Sequence, residues 1–364
     1  MTRVAVAVQP RAYDVVIESG ILSQAGARLR ELFPQRKHCF IVTVAIVRRH
    51  WGRDLRASLS ANGWTAKFVL MPDGERYKTL ATVEKLAEKL VKAGADRGAL
   101  VVAFGGGVVG DVTGLLASIY MRGVDFVQIP TTLLAQVDAS VGGKTGVNLK
   151  AGKNLVGTFY QPRVVLIDPT MLSTLPAREF QSGLYEALKC GVIGNPELFS
   201  RLETGRDKLF KRDPAMLEYI IAESVRLKAA VVAADERDVG LRRVLNFGHT
   251  IGHALESQTA YRHFLHGEAV AWGMVAASII AAALKKTDRQ TAQRISRATV
   301  NLGPLPKVDV NPRGLLRAMQ SDKKTKNGAV HFVLPREIGK VEVVNDVPEA
   351  VVLEAIKQLR VLSR

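Results

Sequence analysis

Between His38 and Ile167 the chain carries five apolar runs of strand length: His38–Val44, Ala66–Met71, Ala99–Phe104, Val124–Ile129 and Val164–Ile167. Each but the last is followed by a segment of helical periodicity. Few folds accept that alternation, because parallel strands need long crossovers and helices supply them while covering the sheet. The pattern predicts a parallel sheet flanked by helices, with Val4–Val8 and Tyr13–Ile17 as a strand pair ahead of it. From about Pro176 the texture changes to long helical stretches, Glu179–Val192, Pro214–Ala234, Phe247–Ser257 and Ala269–Leu284. A late hairpin, Ala329–Leu334 with Lys340–Val344, interrupts them. We expect an α/β domain over residues 1–175 and a mostly α-helical domain over 176–364. With no linker or internal repeat between them, they should abut closely, with an active site in the cleft.

A length of 364 residues gives each domain enough chain for its own core. Hydrophobic residues at 47% and charged residues at 23% suit an ordinary soluble globular protein. Ala269–Leu284 is too short for a membrane span and holds Trp272 and Gly273. Met1–Ala7 lacks the apolar core of a signal peptide. The two cysteines, Cys39 and Cys190, show no metal-ligand spacing and suit free thiols in a reducing, cytoplasmic setting. The net charge of +17 admits nucleic acid, an anionic substrate or simply a basic surface. The cations are dispersed, with no aromatic platform or DNA-reading motif. Neither nucleic acid nor membrane is therefore expected as a partner; a phosphorylated small molecule is.

After the run Ala99–Phe104 comes Gly105-Gly106-Gly107-Val-Val-Gly110-Asp111. The spacing Gly105, Gly107, Gly110 matches the dinucleotide fingerprint, in which glycines admit a pyrophosphate to the backbone and a helix N-terminus offers unpaired N–H groups. No acidic residue follows the next strand at Ile129-Pro130-Thr131 to hold a ribose, so the loop belongs to some other arrangement than a standard Rossmann unit. Downstream lies a polar strip that runs from Thr131-Thr132 through Asp138, Gly142-Gly143-Lys144 and Asn148 to Lys153-Asn154 and Gln161. Glycines beside lysines and hydroxyls suit a loop wrapped around anionic oxygens.

Four of the seven histidines fall between Asn246 and Glu268, in Asn246-Phe-Gly-His249-Thr-Ile-Gly-His253 and at His263 and His266. Neutral imidazole ligates divalent metals and shuttles protons, so the cluster reads as a site. Glu186 and Lys189 stand three apart on one face of a helix among apolar neighbours. Two histidines and one carboxylate would make a catalytic metal site. The ligand pair is open between His249 with His253, which helical spacing favours, and His249 with His266.

These residues resemble the 3-dehydroquinate synthases, of the sugar-phosphate cyclase group within the glycerol-dehydrogenase-like superfamily. The likeness runs from Pro72-Asp-Gly-Glu75-Arg-Tyr-Lys78 to Asp322-Lys-Lys324, and is most specific over Gly105–Pro162 and Asn246–Met274. It implies a zinc, or cobalt, held by Glu186, His249 and His266, with His253 in the substrate pocket. It implies further substrate positions at Arg122, Asp138, Lys144, Asn154, Lys189, Lys228, Arg242, Asn246 and Lys324. NAD positions fall on Glu75, Lys78, Gly107, Asp111, Thr131, Thr132, Lys144 and Lys153, with Gly105, Gly106 and Gly110 completing the loop. The implied reaction turns 3-deoxy-D-arabino-heptulosonate 7-phosphate into 3-dehydroquinate and phosphate. It runs through transient oxidation by NAD, loss of phosphate, return of the hydride and an intramolecular aldol closure, within the shikimate pathway. The resemblance also implies a homodimer in which Arg122 reaches the neighbouring subunit's substrate.

The chain departs from the family pattern twice. Where relatives carry an acid and an amide for the adenine ribose, this chain has Thr43-Val44-Ala45-Ile46, and the family's glutamate four residues before the pocket arginine is Asp238. The rival readings are another cyclase of the group, of the 2-deoxy-scyllo-inosose or valiolone type, and a metal- and NAD-dependent polyol dehydrogenase that releases NADH. Asn246, His253 and Lys324 favour the dehydroquinate-forming pattern, and the lysine-rich strips exceed what an uncharged polyol needs.

Overall fold

A computed structural model describes residues 1–9, 11–321 and 330–363. Lys324 and the first residue of the expected late hairpin, Ala329, lie outside the described residues. The chain divides into two units, one of Met1–Pro176 with Pro214–Arg237, the other of Ala177–Asp213 with Asp238–Arg364.

The first unit is built on strands β1 (Thr2–Val6), β2 (Tyr13–Ile17), β3 (His38–Thr43), β4 (Thr65–Leu70), β5 (Leu100–Gly105) and β6 (Asp125–Pro130), with β7 (Lys144–Leu149), β8 (Gly152–Phe159) and β9 (Val164–Ile167) following. Seven of them form one sheet in the order β1-β2-β9-β6-β5-β3-β4. Only the β1–β2 pair is antiparallel there. Strand β5 shows why the apolar runs were so legible: it is buried on both faces. Its residues alternate between two cores, Leu100, Val102 and Phe104 with Ile41 and Leu166 on one face, Val101 and Ala103 with Val42 and Phe126 on the other. The edge strands β1 and β4 are half-exposed and carry Arg3 and Lys67 outward, which blunts edge pairing.

Helices α1 (Ala25–Leu32), α2 (Ala45–Ala61), α3 (Leu80–Lys92) and α4 (Gly107–Ile119) cover this sheet. From β3 the chain runs through α2 to β4 on one side, then through α3 to β5 on the other. The strand order thus reverses between β3 and β5, and open α/β sheets bind nucleotides outside the carboxyl ends of strands at such a point. Gly105 ends β5 there, and Val44 follows β3.

The polar strip read as a loop is instead largely the hairpin β7–β8, which packs against α4. Its glycines serve strand approach as much as any ligand. A Cβ on Gly157 would lie 2.0 Å from the Thr145 carbonyl oxygen, and one on Gly146 would lie 2.9 Å from that of Val156. After β6 the expected amphipathic helix is a short π-helical turn, Ala135–Ala139. The expected strand Val4–Val8 begins and ends two residues earlier.

The second unit comprises α5 (Ala177–Gly194), α6 (Pro196–Thr204) and α7 (Arg206–Phe210). After α8 (Pro214–Ala234), which belongs to the first unit and packs on β1 and β2, come α9 (His249–Gln258), α10 (His266–Ala283), α11 (Arg289–Asn301), α12 (Pro312–Ser321) and α13 (Glu349–Leu362). The hairpin β10 (Phe332–Glu337) with β11 (Lys340–Val344) completes it. Helix α10 is apolar all round and packs against α5, α9, α11 and α13. It is the one described helix long and apolar enough to cross a membrane, yet 78% of that window is buried in the protein.

Candidate active site

Glycines bring the helices of the second unit close enough to build a site. A Cβ on Gly273 of α10 would lie 1.8 Å from the Gly248 carbonyl oxygen, just ahead of α9. One on Gly267 would lie 2.0 Å from that of Ser182 on α5. Gly248 itself has φ 79°, a left-handed conformation that starts α9 without a side-chain cap. The helices α9 and α10 begin at His249 and His266, later and earlier respectively than their apolar periodicity suggested, so both imidazoles sit on helix N-termini against α5.

The imidazoles of His249, His253 and His266 offer ligand atoms within 4.8 Å of one another. Glu186 Oε1 lies 3.8 Å from His249 Nε2 and 3.6 Å from His266 Nε2. Glu186 is wholly buried, Lys189 Nζ forms an ion pair with its Oε2 at 2.5 Å, and neither carboxylate oxygen has a hydrogen-bond partner. An unpartnered buried carboxylate oxygen facing two imidazole nitrogens is costly without a cation and well placed with one. Burial, then Lys189, His253 and His266, hold the His249 imidazole well below the usual histidine range, so it is neutral and offers a lone pair. Its Nδ1 lies 3.1 Å from the Phe247 carbonyl oxygen, which leaves Nε2 for a ligand. His266 Nδ1 lies 3.2 Å from Glu256 Oε2. A donor set of imidazole nitrogens with one carboxylate oxygen suits a divalent cation of the zinc kind.

Glu256 was missed in the sequence. It stands seven residues after His249, which puts it on the same face of α9 as His249 and His253, and that spacing was the available signal. Glu268, inside the histidine cluster, serves structure: it accepts 2.6 Å and 2.8 Å bonds from Arg178 and one of 2.8 Å from the Leu265 N–H at the start of α10. His263 bonds to the Lys307 carbonyl. Arg242 is buried and Asn246 exposed, on the short turn Leu241–Asn246 that leads toward His249. Asp238 precedes that turn with φ 58°.

In the first unit the Gly105–Gly107 bend opens α4, whose N-terminus carries no side-chain cap. None of its glycines has positive φ; space is what they supply. A Cβ on Gly106 would stand 3.0 Å from Thr132 Cγ2, and one on Gly110 would stand 2.8 Å from Gln128 Oε1 of β6. The Thr131 N–H donates to the Gly105 carbonyl at 3.0 Å, so both threonines flank the loop. Lys78 Nζ donates to Asp111 Oδ2 and, at 2.5 Å, to Asn154 Oδ1. Burial pushes the Asp111 carboxyl up, against the pull of Lys78. Asn148, a strip residue without an assigned role, donates to Glu75 Oε1 at 2.8 Å and accepts from the Asn154 N–H at 2.9 Å. Lys153 stands 3.6 Å from Glu75. Glu75, Lys78, Asp111, Lys153 and Asn154 therefore form one polar network. Lys228, whose charge also acts on Asp111, donates from Nζ to Asp138 Oδ1 at 2.7 Å. Lys144 is exposed at the start of β7, and Arg122 is exposed in a turn where Met121, Arg122 and Gly123 have φ of 49°, 69° and 114°.

Family models match most of the chain: 3-dehydroquinate synthase N-terminal over residues 68–182 and 3-dehydroquinate synthase C-terminal over 183–325. A 3-dehydroquinate synthase from Koribacter versatilis (strain Ellin345) is 56% identical over 363 residues, covering 100% of this chain and 99% of that one. Among solved structures, a 2-epi-5-epi-valiolone synthase from Streptomyces hygroscopicus subsp. jinggangensis 5008, with NAD+ and Zn2+ bound, has a TM-score of 0.85 at 31% identity, over 97% of this chain and 98% of that one. A 2-deoxy-scyllo-inosose synthase complexed with carbaglucose-6-phosphate, NAD+ and Co2+ has a TM-score of 0.86 at 25% identity, over 98% and 99%.

Proposed function

The chain belongs to the 3-dehydroquinate synthase family, and from that premise we propose that Glu186, His249 and His266 hold the divalent metal of its reaction. The activity is an NAD- and metal-dependent conversion of 3-deoxy-D-arabino-heptulosonate 7-phosphate to 3-dehydroquinate and phosphate. The observation that carries the metal assignment is Glu186 Oε1, buried and unpartnered between two imidazole Nε2 atoms.

When bound, NAD would supply a reversible hydride acceptor for a substrate carbinol, and a zinc or cobalt held by Glu186, His249 and His266 would supply a Lewis acid for that carbinol's oxygen. The chain's own residues supply the rest. Lys189 fixes the Glu186 carboxylate through Oε2 and so keeps Oε1 toward the imidazoles. The Gly105–Gly107 bend and the open N-terminus of α4 receive the pyrophosphate, with Gly110 letting α4 pack close on β6. Glu75, Lys78, Asp111, Thr131, Thr132 and Lys153 hold the rest of the dinucleotide. Arg122, Lys144, Arg242 and Lys324 offset the substrate's phosphate and carboxylate, while Asp138, Asn154, Lys228 and Asn246 orient its hydroxyls. His253, the exposed third imidazole, moves protons at the substrate's oxygens. The working form is a cytoplasmic homodimer in which the exposed Arg122 of each subunit serves its neighbour's substrate.

Purified protein with the heptulosonate phosphate and NAD should release inorganic phosphate in step with a cyclic product while NADH absorbance stays flat. Steady NADH accumulation on a polyol, without phosphate release, would replace this reading with that of a dehydrogenase.

A further inference from the structure

We propose that Glu256 is a positioning residue of the metal centre, which fixes the ring of His266 and sets how tightly a divalent cation is held. The proposal rests on the metal assignment above. Glu256 is 2% exposed, and its Oε2 lies 3.2 Å from His266 Nδ1, while Nε2 of the same ring faces Glu186 Oε1 at 3.6 Å. A carboxylate accepts but does not donate, so this contact assigns the ring proton to Nδ1 and the lone pair to Nε2, the atom a metal would take. It also fixes the ring plane, because α9 carries His249, His253 and Glu256 on one face while α10 presents His266 across a glycine-close contact.

The two imidazoles are held differently. His249 Nδ1 meets the neutral backbone oxygen of Phe247 at 3.1 Å, whereas His266 Nδ1 meets an ionisable carboxylate. A charge-assisted bond withdraws the Nδ1 proton further and makes the opposite nitrogen a stronger donor. Glu256 thereby adds negative charge behind a site where the Lys189 ammonium is paired with Glu186. Glu256 also takes part in the end of α9, but there through its backbone oxygen, which accepts from the Tyr261 N–H at 2.8 Å and which side-chain substitution leaves in place.

The test measures Zn2+ affinity by chelator competition, the visible spectrum of the Co2+-loaded protein, and the thermal midpoint of the metal-free protein. It uses the full chain and its Glu256→Gln, Glu256→Ala, His266→Ala, Glu186→Gln and Glu256→Gln/His266→Ala variants. Glu256→Gln keeps the shape and removes the charge; it should weaken Zn2+ binding about 10- to 100-fold and shift the Co2+ spectrum, with the metal-free midpoint unchanged. In the double variant the loss should not exceed that of His266→Ala alone, because Glu256 acts through that ring. Zn2+ affinity within twofold of wild type in Glu256→Gln, while His266→Ala binds poorly, overturns the proposal and leaves the metal assignment standing. Losses that add in the double variant overturn it too, since Glu256 would then act apart from His266. Should Glu256→Ala fail to fold, the Glu256→Gln result decides alone. Wild-type affinity in both His266→Ala and Glu186→Gln would bring down the metal assignment itself.

Discussion

At the scale of single residues, burial separates the roles of the histidines. His249 and His266 are part-buried beside the orphaned oxygen of Glu186, and His253 is exposed. His266→Ala should lose metal, read by elemental analysis after dialysis, whereas His253→Ala should keep its metal and turn over more slowly. Full metal content in His266→Ala would remove that residue from the ligand set. Cys39 is a second case. Burial pushes its thiol up to about 12, so no thiolate forms near neutral pH and native protein should resist thiol reagents until it unfolds. The folded-state value lies above the unfolded one. This contribution to stability is therefore fully present below the unfolded value and is lost as pH rises from there toward 12. Denaturation series should show the wild type losing stability above about pH 9, by at most ~1.4 kcal/mol per pH unit from this group, relative to Cys39→Ala. Parallel slopes would refute it. Val44 is 4% exposed and packs into the core behind β3, so an adenine ribose held at this strand end would meet no carboxylate from Val44. Ile46, two residues on, is 39% exposed; weak discrimination against NADP should follow, and Ile46→Asp should strengthen it, with equal rejection by both proteins meaning that another residue guards the ribose.

At the scale of elements, the site depends on how closely helices and strands approach. A methyl at Gly273 would collide with the Gly248 carbonyl, and that oxygen belongs to rigid backbone. Gly273→Ala should therefore cost about 1–3 kcal/mol by overpacking and push α9 from α10. Urea unfolding and Zn2+ titration should report the stability and affinity losses together; an unaltered affinity would mean that the two helix starts are positioned by other contacts. In the first unit, Asn148 ties β7 to Glu75, and through the Asn154 N–H to the left-handed residue that receives the Lys78 ammonium. Asn148→Ala should raise the KM for NAD several-fold with little change in the folding midpoint. A changed kcat with unaltered KM would place its effect elsewhere. The hairpin itself could not be read as such, because its glycines and threonines look like ligand-binding composition. Their pairing becomes visible only when Gly146 and Gly157 are seen face to face.

At the scale of the whole molecule, the reaction leaves no net redox change, and a cross-subunit Arg122 makes a separate prediction. Mixing Arg122→Ala protein with Glu186→Gln protein should restore activity, since one mixed site keeps both residues; no recovery in subunits shown to exchange would confine Arg122 to its own chain. The chain's route also matters, for α8 lies between two helical stretches in sequence yet packs on β1 and β2. Its apolar periodicity announced a helix but not a partner. What the sequence determined by itself was the kind of each element and the chemistry carried along it: buried β-branched runs for the parallel sheet, the Gly105–Gly110 bend after β5, a cluster of imidazoles, and a family likeness that spans both halves. Those properties are written within a few residues of one another, because burial on two faces or one stripe repeats with the period of the strand or helix. The family likeness already pointed to Glu186, His249 and His266; only the tertiary structure put the Nε2 atoms of His249 and His266 at 3.8 Å and 3.6 Å from the buried Glu186 Oε1, and Glu256 behind His266. Those contacts join helices far apart in sequence through glycine approaches whose geometry no local period encodes.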